Sequence, residues 1–177
     1  PMFVYYPYLT SDQSASGKNS LYMAASADTA NMYSAYDSYV AFPKLNTDKV
    51  NKLQISMKLR AASRGDRLTV GVMTDPTDIS TFVPVASAIP TVGTYEWEMF
   101  EFPLSNYTGE DGYITLMSPD GVYSYPYLDD LEVNIIPTCP RPRNVNIPDE
   151  TITTTSAVVT WFDTNASSWI VEYGPVG

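Results

Sequence analysis

Residues 52–59 alternate strictly between polar and apolar side chains, the apolar members being Leu53, Ile55, Met57 and Leu59. A period of two places successive side chains on opposite faces of a strand. The pattern therefore predicts an antiparallel strand with one buried face and one wet face. No window of helical length is free of breakers and carries apolar residues at helical spacing. The chain is therefore predicted to be built from strands.

A second apolar set follows the tripeptide Arg64-Gly65-Asp66. Leu68, Val70 and Val72 share one phase, so residues 51–73 are predicted to form a β-hairpin. The tripeptide also matches an integrin-type motif. Because Gly and Asp are expected at turns for backbone reasons alone, we interpret it as a turn.

Later segments repeat the strand pattern. Phe100, Phe102 and Leu104 share a face, whereas Trp97 and Met99 fall on the opposite phase, which suggests a bulge or a strand buried on both sides. Further strands are predicted around residues 114–116 and 127–136. Many short strands without helices predict a β-sandwich or barrel. A first domain of 136 residues fits a jelly roll better than an immunoglobulin-like domain of roughly 100 residues.

The clearest domain boundary is the proline-rich stretch 137–142. Its prolines keep the chain extended and remove backbone donors, so it is predicted to be a linker between a domain at 1–136 and another at 143–177. The single cysteine, Cys139, either pairs with a segment outside this sequence or is a buried or idle thiol. Because Pro1 is not a natural start, the chain is expected to be a processed or excised piece.

Charge and composition exclude several function classes. The chain has 10 basic and 20 acidic residues and a net charge of −10, which argues against nucleic-acid binding. It has no histidine, which excludes Ser-His-Asp catalysis and imidazole-based zinc sites. No apolar run is long enough to span a bilayer. Glu96, Glu98 and Glu101 are interpreted as a solvated strand face and not as a glycosidase pair. We predict that the chain is not an enzyme.

Four segments resemble jelly-roll modules of Bacteroidetes surface proteins, namely residues 17–43 (GKNSLYMAASADTANMYSAYDSYVAFP), 68–85, 100–116 and the closing YLDDLEV at 127–133. They are similar to adhesin-like, MAM-like and carbohydrate-binding jelly rolls. The resemblance implies an all-β jelly-roll β-sandwich at the cell surface or outside the cell, often with a structural calcium.

The tail resembles the start of a fibronectin type III domain. Residues 157–161 (AVVTW) match its second strand and residues 169–174 (WIVEYG) match its third. A complete domain of this kind needs about 90 to 100 residues in seven strands. The resemblance therefore implies a partial fibronectin type III β-sandwich, which more sequence or another chain would complete.

Asp129 is the most informative charged residue. It is in phase with Leu131, Val133 and Ile135, so it is expected to point inward. A buried carboxylate needs a partner, and calcium binds six to eight oxygens. Together with the resemblance, this predicts a structural Ca²⁺ at Asp129 and Asp130. The alternative is that Asp129 accepts backbone N–H groups at a strand end.

The 14 tyrosines are the candidate ligand surface, with clusters at residues 5–8, 33–39 and 123–127. The proposed ligand-binding residues are Tyr33, Tyr36, Tyr123 and Tyr125. An exposed ring can stack on the apolar face of a sugar or anchor a protein partner. Ordinary packing at sandwich edges is the alternative.

Taken together, these patterns predict a non-catalytic, secreted or cell-surface binding module of the adhesin type. Its partner would be a glycan or an extracellular protein of host or matrix, without nucleic acid or membrane insertion. The alternative is an ancillary carbohydrate-binding or spacer module of a larger secreted hydrolase or peptidase.

Overall fold

A computed structural model describes residues 7–23, 26–27, 35–46, 49–61, 66–90, 95–119, 126–138, 142–162 and 168–174. The chain divides into two compact units, Pro1–Ile135 and Ile136–Gly177. No helix within the described ranges is long and apolar enough to cross a bilayer.

The strands are β1 (Tyr8–Thr10), β2 (Ser20–Tyr22), β3 (Ser26–Ala27), β4 (Ala35–Tyr36), β5 (Ser38–Ala41), β6 (Leu53–Arg60), β7 (Leu68–Met73), β8 (Phe82–Ala88), β9 (Trp97–Pro103), β10 (Tyr113–Ser118), β11 (Tyr127–Ile135), β12 (Arg143–Asn146) and β13 (Thr160–Phe162). Three single 3₁₀ turns lie at Val50–Lys52, Ile79–Thr81 and Asp149–Thr151.

Among the described residues, two antiparallel sheets form the sandwich of the first unit. One has the order β1-β2-β11-β6-β9 and the other has the order β5-β10-β7-β8. β3 and β4 form a separate two-stranded sheet. The predicted all-β jelly-roll β-sandwich is confirmed for this part of the chain.

The core lies between the two sheets and uses the alternation seen in the sequence. Ile55, Met57 and Leu59 of β6, in the five-stranded sheet, are fully buried. Val70 of β7 and Leu116 of β10, in the four-stranded sheet, are fully buried as well. Every second residue of these strands therefore supplies the apolar contacts that hold the sheets together.

The predicted hairpin at residues 51–73 is wrong. β6 pairs with β11 and β9, whereas β7 pairs with β10 and β8 in the opposite sheet. Both strands have an apolar face, and placing them in different sheets brings these faces together across the core. Asp66, at the end of the intervening segment, is buried.

β9 also differs from its prediction. It pairs with β6 in unbroken register from Trp97 to Pro103, so it contains no bulge. Phe100 and Phe102 face the core as predicted. Met99 is 52% exposed on the outer face, so the strand is not buried on both sides.

In the second unit, β12 pairs antiparallel with β13. The rings of Trp161 and Trp169 meet edge to face, with centroids 5.6 Å apart. Residues 168–174 form no strand, contrary to the predicted third strand, and Ile170 and Tyr173 are exposed. No neighbouring strand pairs with this segment within the described residues. The fibronectin type III assignment stays a prediction.

Replacing Ile55 by alanine tests the position of the core. Because Ile55 has no exposed surface, Ile55→Ala should lower the free energy of unfolding by about 2–5 kcal/mol. The control is Ile79→Ala, because Ile79 is 63% exposed and its truncation should cost little. Urea unfolding measures both, and equal losses would contradict the assigned core.

Candidate functional site

The closing strand β11 changes face at Asp130. Before this point Asp129 lies opposite Lys58, and after it Glu132 lies opposite Ser56. Two residues of β11, Asp130 and Leu131, therefore lie against one residue of β6, which defines a β-bulge. Asp130 has a φ of 49°, the left-handed conformation that aspartate tolerates better than most residues.

The bulge corrects the predicted orientation of Asp129. Leu128, opposite Leu59, is buried in the core, whereas Asp129 shares the outer face of the sheet with Lys58. Beyond the bulge, Leu131 and Val133 turn inward as predicted. Asp129 is out of phase with them because the extra residue reverses the alternation.

Both carboxylate oxygens of Asp129 accept backbone hydrogen bonds. Oδ2 accepts from the N–H of Ala15 at 2.7 Å and of Ser16 at 3.1 Å, and Oδ1 accepts from the N–H of Asp130 at 2.8 Å. The first two donors lie in the connection between β1 and β2. Asp129 therefore fastens this connection to the closing strand, more than 110 positions away in sequence.

Asp130 binds the same connection from the other side of the bulge. Its carboxylate accepts a hydrogen bond from the Ser16 hydroxyl and lies 2.9 Å from Nζ of Lys58. The hydrogen bond from Ser16, followed by that from Lys58 and its charge, lowers the pKa of the Asp130 carboxyl from its usual 3.8.

These contacts do not fit a calcium site well. The oxygens of Asp129 already accept three N–H groups, and Asp130 faces an ammonium group, which repels a cation. No group of three or more His, Cys, Asp or Glu side chains that could hold a metal ion occurs in the described part of the chain. The contacts favour the alternative of a hydrogen-bonded strand-end aspartate, and calcium at Asp129 and Asp130 stays a prediction.

Asp129→Ala separates the two alternatives. If the carboxylate acts by accepting N–H groups, the variant should lose about 1–3 kcal/mol of stability equally in calcium and in chelator. The measurement is the thermal midpoint under both conditions, with the exposed Glu132→Ala as control. A midpoint that calcium raises in the parent but not in Asp129→Ala would establish the metal site instead.

The lowered pKa of Asp130 predicts a specific acid sensitivity. Because the pKa is lower in the folded state, its stabilisation is present above about pH 4 and is lost as the pH falls through the folded value. Asp130→Asn should therefore be less stable than the parent near neutral pH, and the difference should shrink toward about pH 2. Urea unfolding across this range measures it, and a constant difference would contradict the assignment.

Of the tyrosines proposed as ligand contacts, Tyr33, Tyr123 and Tyr125 lie outside the described residues. The backbone of Tyr36 is described in β4, opposite Ser26. The proposed role of these four residues stays a prediction.

A different set of rings lies together on the outer face of the five-stranded sheet. The strand registers place one side chain from each strand in a line, and we call this line the outer row: Tyr8, Tyr22, Tyr127, Arg60 and Trp97. Four interstrand spacings of about 4.8 Å make this row about 19 Å long. It is therefore longer than a single sugar ring.

The rings of the outer row contact one another. The centroids of Tyr8 and Tyr22 are 5.3 Å apart, and those of Tyr22 and Tyr127 are 4.7 Å apart. The interplanar angles are 61° and 46°, so the rings are tilted and not coplanar. Tyr8 is 50% exposed. Burial, reinforced by the negative charge of Asp12, raises the pKa of Tyr127, which keeps its hydroxyl protonated.

Arg60 continues the row beyond the tyrosines. Its Cζ lies 5.8 Å from the ring centroid of Tyr127 and 5.1 Å from that of Tyr95, within the range of cation–π attraction. Its Nε donates a hydrogen bond to the carbonyl oxygen of Tyr95 at 2.9 Å. The ring of Tyr95 is 62% exposed.

Part of the outer face of the four-stranded sheet is tightly packed. Tyr39 and Phe82 meet edge to face with centroids 5.4 Å apart, and the Phe82 ring lies against Gly71, where a Cβ would come within 2.5 Å of it. Met73 and Thr115 point to this outer face and yet are 1% and 0% exposed. These residues are therefore packed, whereas Tyr8 of the outer row is half exposed.

Sequence reasoning missed Tyr22, Arg60 and Tyr95, and it included Tyr8 and Tyr127 in tyrosine clusters without selecting them. Each tyrosine cluster is local in sequence, whereas the outer row takes one residue from each of five strands. The signal that could have found it is the register between strands, which local alternation does not contain.

No protein-family model matches the sequence, and no curated protein matches it. Among solved structures, the chain is similar to the K2 cleaved adhesin domain of Lys-gingipain, with a TM-score of 0.52 and 14% identity over 72% of this chain and 78% of that one. It is similar to a family 30 carbohydrate-binding module of a cellulosomal cellulase of Clostridium thermocellum, with a TM-score of 0.50 and 9% identity over 73% and 82%.

A further structure of a family 30 carbohydrate-binding module gives a TM-score of 0.51 and 9% identity over 80% of each chain. At these identities the likeness establishes a shared jelly-roll fold. A fold of this kind carries different functions in different proteins, so the function has to be argued from the site.

Proposed function

We propose that this chain is a non-catalytic glycan-binding module that works outside the cell or on its surface. The observation that carries the proposal is the outer row, in which tyrosine rings from three neighbouring strands lie side by side. Tyrosine suits sugars because its ring packs against C–H groups while its hydroxyl makes hydrogen bonds. The similar structures named as adhesin and carbohydrate-binding modules agree with this function.

The tilt of the rings indicates the kind of glycan. A flat crystalline surface is best matched by coplanar rings, whereas the planes of Tyr8, Tyr22 and Tyr127 are rotated by 46–61° from one neighbour to the next. A row of this kind suits one soluble polysaccharide chain whose successive sugars also rotate. We therefore propose a single extended glycan chain as the ligand.

Two roles share this recognition. The module could act as an adhesin, or it could hold a larger secreted hydrolase or peptidase near its substrate by raising the effective concentration. The outer row supports binding in both roles. A passive spacer is disfavoured, because a spacer has no use for a line of neighbouring tyrosines with an exposed end at Tyr8.

Truncation of the row tests the proposal. Tyr8→Ala and Tyr127→Ala should each weaken binding to a soluble polysaccharide by roughly twofold to tenfold, which corresponds to about 0.5–1.5 kcal/mol per aromatic contact. Affinity gel electrophoresis against a panel of soluble plant, bacterial and animal polysaccharides identifies the ligand and measures the loss.

Tyr173→Ala is the matched control, because Tyr173 is an exposed tyrosine of the second unit. It should bind like the parent. Binding that survives both row substitutions, or that only Tyr173→Ala weakens, would show that the outer row is not the glycan site.

A further inference from the structure

Arg60 is a cation on the outer face of an acidic chain. With 20 acidic and 10 basic residues, a basic side chain is expected to find an acidic neighbour. Lys58, on the same outer face, lies 2.9 Å from Asp130, and Lys44 lies 2.6 Å from Asp111. Among the ion pairs between described residues, none includes Arg60. Its positive charge is therefore available to a ligand.

The guanidinium of Arg60 is held in place by rings and not by opposite charge. Tyr95 and Tyr127 lie at 5.1 Å and 5.8 Å from its Cζ, and the Tyr95 carbonyl accepts its Nε–H. This leaves the four N–H donors of the terminal nitrogens, which form the planar fork that matches a carboxylate. A fork already fixed by stacking loses less freedom when it binds an anion.

Tyr95 is held in a conformation that a tyrosine rarely adopts. Its φ is 81°, and two hydrogen bonds to the end of β6 hold it there. The Tyr95 N–H donates to the Ala61 carbonyl at 3.0 Å, and the Tyr95 carbonyl accepts from Arg60. This backbone presents an exposed ring beside the guanidinium. Strained residues of this kind cluster at binding sites.

We infer that the outer row binds an acidic polysaccharide and that Arg60 receives the carboxylate of a uronic acid residue. The inference rests on the proposed function and specifies its substrate class. A sugar ring stacked on Tyr95 or Tyr127 brings a carboxylate on its rim to the guanidinium, where two parallel hydrogen bonds form. Tyr22 and Tyr8 receive the next sugars along the row.

The overall charge determines how Arg60 contributes. A net charge of −10 repels a polyanion at long range, so electrostatic steering does not assist the encounter. The selectivity for acidic sugars has to come from direct contact at Arg60. It should therefore appear as a difference in affinity between two forms of one polymer that differ only in the carboxylate.

The experiment compares polygalacturonate, alginate and hyaluronan with their carboxyl-reduced forms, which keep the sugar rings and lose the charge. Titration calorimetry gives the affinity of the parent chain for each polymer. We expect at least one acidic polymer to bind about tenfold more tightly than its reduced form, the usual size of a charge-assisted hydrogen-bond effect.

Three variants assign this preference to Arg60. Arg60→Gln should bring the affinity ratio of acidic to reduced polymer close to one. Arg60→Lys keeps the charge but loses the fork, so it should give an intermediate ratio. Lys49→Gln is the control, because Lys49 precedes the start of β6, at the end of the strand opposite Arg60, and pairs with Glu110. This variant should retain the affinity ratio of the parent. Thermal midpoints confirm that each variant is folded.

The outcomes separate this inference from the proposed function. Equal binding of acidic and reduced polymers, with a loss in Tyr127→Ala, would overturn the acidic ligand and keep the glycan-binding row. A preference for acidic polymers that persists in Arg60→Gln would overturn the role of Arg60. Absence of binding to any acidic or neutral polysaccharide would overturn both.

Discussion

The β-bulge at Asp130 determines what each face of the five-stranded sheet presents. Without the extra residue, the apolar phase of Leu131 and Val133 would continue backward and turn Asp129 and Tyr127 toward the core. The bulge reverses that phase, buries Leu128 and brings Tyr127 to the outer face. There Tyr127 lies beside Tyr22 and within reach of Arg60. The outer row therefore depends on one inserted residue in the closing strand.

The same bulge joins the closing strand to the connection between β1 and β2. Asp129 and Asp130 both bind the connection between β1 and β2, Asp129 through backbone N–H groups and Asp130 through the Ser16 hydroxyl, and Asp130 also pairs with Lys58 of β6. β2 and β11 pair over only two residues, so their backbone hydrogen bonds alone stabilise the attachment of β1 and β2 to the sheet only weakly. The two carboxylates reinforce it through hydrogen bonds to the connection between β1 and β2.

On the outer face of the five-stranded sheet, the two basic residues of β6 have different kinds of neighbour. Lys58 is neutralised by Asp130 close to the bulge, whereas Arg60, one pair further along β6, contacts rings instead of a carboxylate. The tyrosines supply apolar contact with hydroxyl edges, and Arg60 supplies the planar cation. Lys58 and Arg60 are neighbours on the same face of β6. Lys58 thus stabilises the fold, whereas Arg60, as we propose, binds the ligand.

The sequence by itself determined the all-β class, the strands β6, β7, β9, β10 and β11 and much of the core, because these follow from local alternation. Ile55 and Leu116 are buried as their period-two patterns require. Tertiary structure alone decided that β6 and β7 lie in different sheets, that Asp129 faces outward, and that five distant residues form one row. The physical reason is that sheet order and register arise from pairing between strands that are in places more than a hundred residues apart, as β2 and β11 are. A single bulge reverses which face of the sheet each later side chain of the strand points to, while the local alternation of polar and apolar residues hardly changes.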